Sequence, residues 1–196
     1  MKLNQAEKTM LGNPVRTFIL SRIIAWMRVG RPLDPGMDIL ELGCGRGAGV
    51  RLLQKYFQPR RLAGLDLDHD QIKTAVSYLG RPGRQASLCV GAAETLPFAD
   101  HAFDAVFSFG VLHHLPDWRS GLGEVARVLK PGGYYFLEDY YPGSYANAVS
   151  RHVLKHPRHD RFVGPDLRDA LEKVGAPLIR AREVRGFGII GVCRKK

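Results

Sequence analysis

Several things are scarce in this sequence, and each scarcity excludes a class of protein. Cysteine occurs at 3 of 196 positions, Cys44, Cys89 and Cys193. An odd number without metal-type spacing argues against a disulfide framework or a zinc site, so no metal is expected. No apolar run reaches the roughly 18–20 residues that span a bilayer. Repeats, low-complexity tracts and linkers are absent too. Residues 1–196 are therefore expected to form one domain, with residues 1–36 as an N-terminal helical cap and residues 139–162 as an insertion on the substrate side. Met1–Lys8 is polar and mixed in charge, unlike a secretory leader, which makes the cytoplasm the expected compartment.

Acidic residues are also in deficit. Lys and Arg number 29 against 19 Asp and Glu, for a net charge of +10. The excess is uneven: +3 over residues 1–38, zero over 39–149 and +7 over 150–196. The basic C-terminal quarter suits an acidic partner or substrate, though a solvated basic face explains it more economically.

What is present is organised around Asp38-Ile39-Leu40-Glu41-Leu42-Gly43-Cys44-Gly45-Arg46-Gly47, an apolar run that breaks into three alternate glycines before helix-forming Ala48–Leu53. This reads as a buried parallel strand, a tight turn and a helix N-terminus. Glycine takes positive φ and lets a ligand approach the backbone. Free N–H groups at a helix start attract carboxylate or phosphate. A nucleotide-like ligand is expected there.

Upstream, residues 13–27 read as a helix with Asn13 as N-cap and Pro14 in the first turn. Val15, Phe18, Ile19, Arg22, Ile23 and Trp26 form its expected packing face. Downstream, strands are expected at 62–67, 86–90, 103–109 and 134–138, with helices at 68–78 and 118–129 between them and a turn at Lys130-Pro131-Gly132-Gly133. A partial helix near 145–154, a helix at 165–174 and a closing hairpin of strands 178–184 and 188–193 complete the chain. The expected fold is an α/β, Rossmann-like, doubly wound, mainly parallel sheet of about seven strands with a C-terminal antiparallel hairpin. Such sheets bind ligands beyond the carboxyl ends of their strands.

Glycines spaced Gly-x-Gly-x-Gly are weak evidence alone, but Asp66 ends the next strand about 20 residues on, where a ribose diol needs an acceptor. With Gly91-Ala92-Ala93-Glu94-Thr95-Leu96-Pro97-Phe98, Phe103-Asp104-Ala105-Val106, Val111-Leu112-His113-His114-Leu115 and Val128-Leu129-Lys130-Pro131-Gly132-Gly133 following in order, the chain resembles a class I S-adenosylmethionine-dependent methyltransferase of the small-molecule type, similar to the quinone-biosynthesis methyltransferases. The resemblance implies that Glu41, Gly43, Cys44, Gly45, Arg46 and Gly47 hold the methionine end of S-adenosylmethionine. It implies that Asp66 accepts the ribose hydroxyls, that Leu67, Ala92, Ala93 and Glu94 surround the adenine, and that Phe109 and Gly110 lie beside the sulfonium. One departure is Ala92, where the family usually carries an Asp that accepts the adenine amino group.

The acceptor is expected between the N-terminal helix, through Arg16 and Phe18, and the 139–162 segment, through Tyr140, Tyr141 and Tyr145. His113 is a candidate general base that also touches substrate. For each of these the plain alternative is packing, and Asp66 has the alternative of a helix cap. Arg151, His152, Lys155, His156, Arg158, His159 and Arg161 read either as an anion clamp or as a solvated face. Methyl transfer from a sulfonium is an in-line displacement governed by geometry, so no nucleophilic side chain is required. Two other functions fit less well. A nucleic-acid methyltransferase would use the basic tail, but Ser108-Phe109-Gly110-Val111 lacks the Asn/Asp-Pro-Pro-Tyr pattern. A non-catalytic cofactor-binding protein is supported only by Ala92. Neither the acceptor nor the oligomeric state is legible.

Overall fold

A computed structural model describes residues 13–29, 34–80, 86–145 and 161–196. The expected partial helix near 145–154 and the basic cluster from Arg151 to His159 lie outside the described residues, apart from the short turn that ends at Tyr145. Helix α1 (Pro14–Arg28) begins as its sequence predicts: the Asn13 side chain accepts the Val15 N–H at 2.8 Å. Its packing face is the expected one only at Ile23 and Trp26. Leu20, Ile23, Ile24 and Met27 are buried, whereas Val15, Phe18 and Ile19 are exposed. Both stripes have helical spacing, and only the one over the last three turns reaches the sheet.

The remaining elements alternate as expected: β1 (Asp38–Leu42), α2 (Ala48–Phe57), β2 (Arg61–Asp66), α3 (His69–Leu79), β3 (Ser87–Val90), β4 (Phe103–Phe109), a 3₁₀ turn at Leu112–His114, α4 (Trp118–Val128), β5 (Leu129–Tyr140), α5 (Pro142–Tyr145), α6 (Gly164–Lys173), β6 (Leu178–Val184) and β7 (Gly188–Arg194). The seven strands form one sheet in the order β3-β2-β1-β4-β5-β7-β6. The first five are parallel, and β7 inserts antiparallel between β5 and β6.

Lys130–Gly133 is not a separate turn. It lies inside β5, where pairing jumps from Phe103↔Leu129 to Ala105↔Tyr134. The extra residues form an irregularity in the strand, and Gly132 there takes φ 76°.

The central strands bury both faces. One face packs Tyr135 and Leu137 with Trp118, Tyr141 and Phe162. The other packs Phe107 and Phe136 with Ile24, Met27 and Phe57. Phe107 is fully buried, stacked on Phe136 at 4.5 Å and 7°. Phe107→Ala is expected to lower unfolding free energy in urea by about 3–5 kcal/mol; a loss below about 1 kcal/mol would mean the ring is not part of a packed core.

Candidate functional site

The carboxyl ends of β1, β2 and β4 open onto one cavity of about 350 Å³. It lies where the strand order reverses, between β1 and β4. Glu41, Gly43, Cys44, Gly45, Arg46, Asp66, Leu67, Ala92, Ala93, Glu94, Phe109 and Gly110 all line it. Of the cofactor residues expected from the sequence, only Gly47 does not. Arg16, Thr17 and Leu20 of α1 form a further wall.

The glycine turn has the conformation its sequence demands, with φ of 62°, 51° and 86° at Gly43, Gly45 and Gly47. A Cβ on Gly43 would stand 2.6 Å from Val111, whereas one on Gly45 would meet nothing within 4 Å. Gly45 therefore offers bare backbone to the open space. The helix start after the turn carries no side-chain cap, as the expected free N–H groups require, while the turn itself is internally bonded. Cys44 donates to the Leu65 carbonyl, Gly45 to Asp66 Oδ2 at 2.8 Å and Gly47 to the Cys44 carbonyl. The turn is thereby tied to the end of β2. Asp66 also accepts the Asp68 N–H at 2.9 Å, and the cap of α3 is Asp68, not Asp66.

The lining is acidic although the chain is basic. Glu41, Asp66, Asp68 and Glu94 face Arg16 and Arg46 across it, and Arg16 is neutralised by Glu138, with contacts of 3.1 and 2.5 Å. Glu41 is 3% exposed, and its Oε2 has no hydrogen-bond partner among the described residues. Burial, and then repulsion from Asp66, hold its carboxyl well above the usual range. A Cβ on Gly49 would lie 1.9 Å from Glu41 Oε1, so that glycine makes the room for the carboxyl. A buried acid without a partner beside open space suits a cationic ligand group better than a diphosphate.

Beyond Gly110 stands a second polar group, in the 138–141 stretch where the fifth strand ends and ligands of such sheets bind. Asp139, 1% exposed, accepts N–H groups from Val111, Leu112, His113 and Tyr140 and bonds His113 Nδ1 at 2.6 Å. A carboxylate only accepts, so Nδ1 is the donor in this contact. His113 does not line the cavity, but its Cε1 lies 3.6 Å from where a Cβ on Gly110 would be. The Tyr140 ring lies 3.3 Å from that same Cβ position, and its hydroxyl donates to Glu138 at 2.8 Å. His114 lines the cavity and packs on His113 at 4.1 Å. Tyr141 is a core residue instead: it is 1% exposed, packs on Phe162 and donates to Glu183. The side chain of Tyr145 lies outside the described residues. Sequence signals for Asp139 and Glu138 existed only in their place at the end of the fifth strand.

A family profile for a methyltransferase domain matches residues 40–137, half of the chain. The phthiotriol/phenolphthiotriol dimycocerosates methyltransferase of Mycobacterium tuberculosis strain H37Rv is 38% identical over 153 residues, covering 78% of this chain and 51% of that protein. The fatty-acid O-methyltransferase of Mycolicibacterium smegmatis is 40% identical over 109 residues, covering 55% of this chain and 38% of that protein. The chain thus spans about half the length, or less, of these curated relatives. A solved SAM-dependent methyltransferase from Aquifex aeolicus superposes over 100% of both chains with a TM-score of 0.77 at 20% identity. The chain belongs to the methyltransferase-domain family and has the Rossmann-like fold of its S-adenosylmethionine-dependent members.

The raised Glu41 carboxyl has a definite consequence for stability. The contribution of its protonated form is complete below the ordinary carboxyl range of about 4.3 and is lost as pH rises through the folded-state value. Glu41→Gln, neutral at every pH, is expected to flatten the fall of unfolding free energy with pH above about 4.3. A mutant slope equal to the wild-type slope would show that Glu41 is ionised in the free protein.

Proposed function

We propose that the chain transfers a methyl group from S-adenosylmethionine to a small, lipid-like acceptor in the cytoplasm. The observation that carries this reading is the acidic lining of a nucleotide-sized cavity in a basic chain, with Glu41 Oε2 buried and unbonded among the described residues. When bound, the cofactor supplies a methyl group on a positively charged sulfur. Glu41, the Gly43–Gly47 turn and Arg46 hold its amino-acid end, Asp66 its ribose, and Leu67 and Ala92–Glu94 its adenine. Phe109 and Gly110 flank the reacting centre.

The rest of the chain's work is orientation and water exclusion, which in well-ordered systems lower a barrier by up to roughly 7–11 kcal/mol. Arg16, in the cavity wall, faces the acceptor, with Tyr140 and His113 behind Gly110. His113, oriented by Asp139, takes the proton of an acceptor that carries one. Support for a lipid-like acceptor comes from the two relatives named above and from Leu20, Phe109, Val111 and Leu115 in the cavity wall. Three free thiols suit a reducing compartment.

Calorimetry with S-adenosylmethionine tests the reading directly. Binding is expected, and Asp66→Ala is expected to weaken it at least ~10-fold through loss of charge-assisted hydrogen bonds. No binding at millimolar cofactor would sink the proposal, and full affinity in the variant would remove Asp66 from the ribose site.

A further inference from the structure

The first two turns of α1 carry their polarity reversed. Arg16, Thr17 and Leu20 line the cavity. On the outer side Val15, Phe18 and Ile19 are 61%, 67% and 45% exposed. With exposed Arg22 they occupy positions i, i+3, i+4 and i+7, one continuous strip. This strip is additional to the buried stripe that packs the helix on the sheet. The helix contains three arginines and no acid.

A second patch has the same composition. At the β6–β7 turn, Val184 and Phe187 are 66% and 58% exposed, with Arg182 and Arg185 exposed beside them. Both patches belong to one end of the sheet. Arg16 is bonded to Glu138, which registers with Ile190, and Gly188, next to Phe187, registers with Tyr140. The nearby acid, Glu183, is already engaged by Arg168 and Tyr141. Exposed apolar side chains can enter a lipid headgroup layer while the arginines beside them pair with anionic headgroups. A second copy of the chain would bring two arginine-bearing faces together, which like charge opposes.

We propose that this face docks the protein on an anionic lipid surface, with α1 in the headgroup layer beside the cavity. The docking stands on the exposed strip alone; that it delivers the acceptor rests on the proposed function. The test is co-sedimentation of the full chain with vesicles of phosphatidylcholine, and of phosphatidylcholine with about a quarter phosphatidylglycerol. Binding to the anionic vesicles is expected, with little to the neutral ones, and it should fall as salt is raised. Phe18→Ser/Ile19→Ser is expected to reduce it at least ~10-fold, and Arg182→Gln/Arg185→Gln to weaken it, while thermal melting stays at the wild-type value. Failure of the wild type to sediment with anionic vesicles overturns the proposal, as does undiminished binding by the Phe18/Ile19 variant. So does concentration-dependent dimerisation that this variant abolishes without any vesicle binding, which would assign the face to a second copy. Cofactor calorimetry is independent of all these outcomes, so failure here and failure of the methyltransferase reading are separable.

Discussion

Strands β1, β4 and β5 are buried on both faces, and the backbone leaving their carboxyl ends runs between the open cavity and the core, where Leu112 and His113 are buried. A buried backbone polar group left unpaired there would cost free energy comparable to a lost hydrogen bond. Two carboxylates meet that demand. Asp66 takes N–H groups from the glycine turn after β1 and from the start of α3. Asp139 takes four from the loop after β4 and from its own neighbour. Each ties the exit of one strand to another, and the cavity is the space left between the two ties. The carboxylates that hold the loops therefore also bound the cavity: Asp66 lines it, and Asp139 stands behind the loop that follows β4.

The fold was legible because its signals are local. Apolar runs ended by Gly or acid mark the parallel strands, and Asn13-Pro14 marks the first helix start. What was not legible depends on which surface wins a competition. Helix α1 has two apolar stripes of equal period, and only the tertiary structure selects Leu20, Ile23, Ile24 and Met27. Lys130-Pro131-Gly132-Gly133 has turn composition but sits within a strand irregularity, because β4 and β5 pair on both sides of it. In the site, the glycines and Asp66 stand out by spacing. Glu138 and Asp139 do not: their partners Arg16 and His113 lie 122 and 26 residues away, and no local pattern announces such pairs. Tyr141 shows the reverse failure, an aromatic in the right segment, just past the end of β5, that packs inward against Phe162.

Charge separates the molecule into two electrostatic regions. The cavity gathers Glu41, Asp66, Asp68 and Glu94, while the outer face of α1 and the β6–β7 turn gather arginine. With a net charge of +10, an acidic interior site has to be held against the general field of the chain. The structure does so by neutralising its own cation there: Arg16, the basic residue of α1 that reaches the cavity, is bonded to Glu138 in a setting where both side chains are mostly buried. Removing Glu138 would leave that guanidinium uncompensated beside the cavity and oppose any cationic ligand. The same ion pair fixes the end of α1 over the sheet, which turns Phe18 and Ile19 outward. One contact thus sets both the sign of the field inside the cavity and the apolar character of the surface next to it.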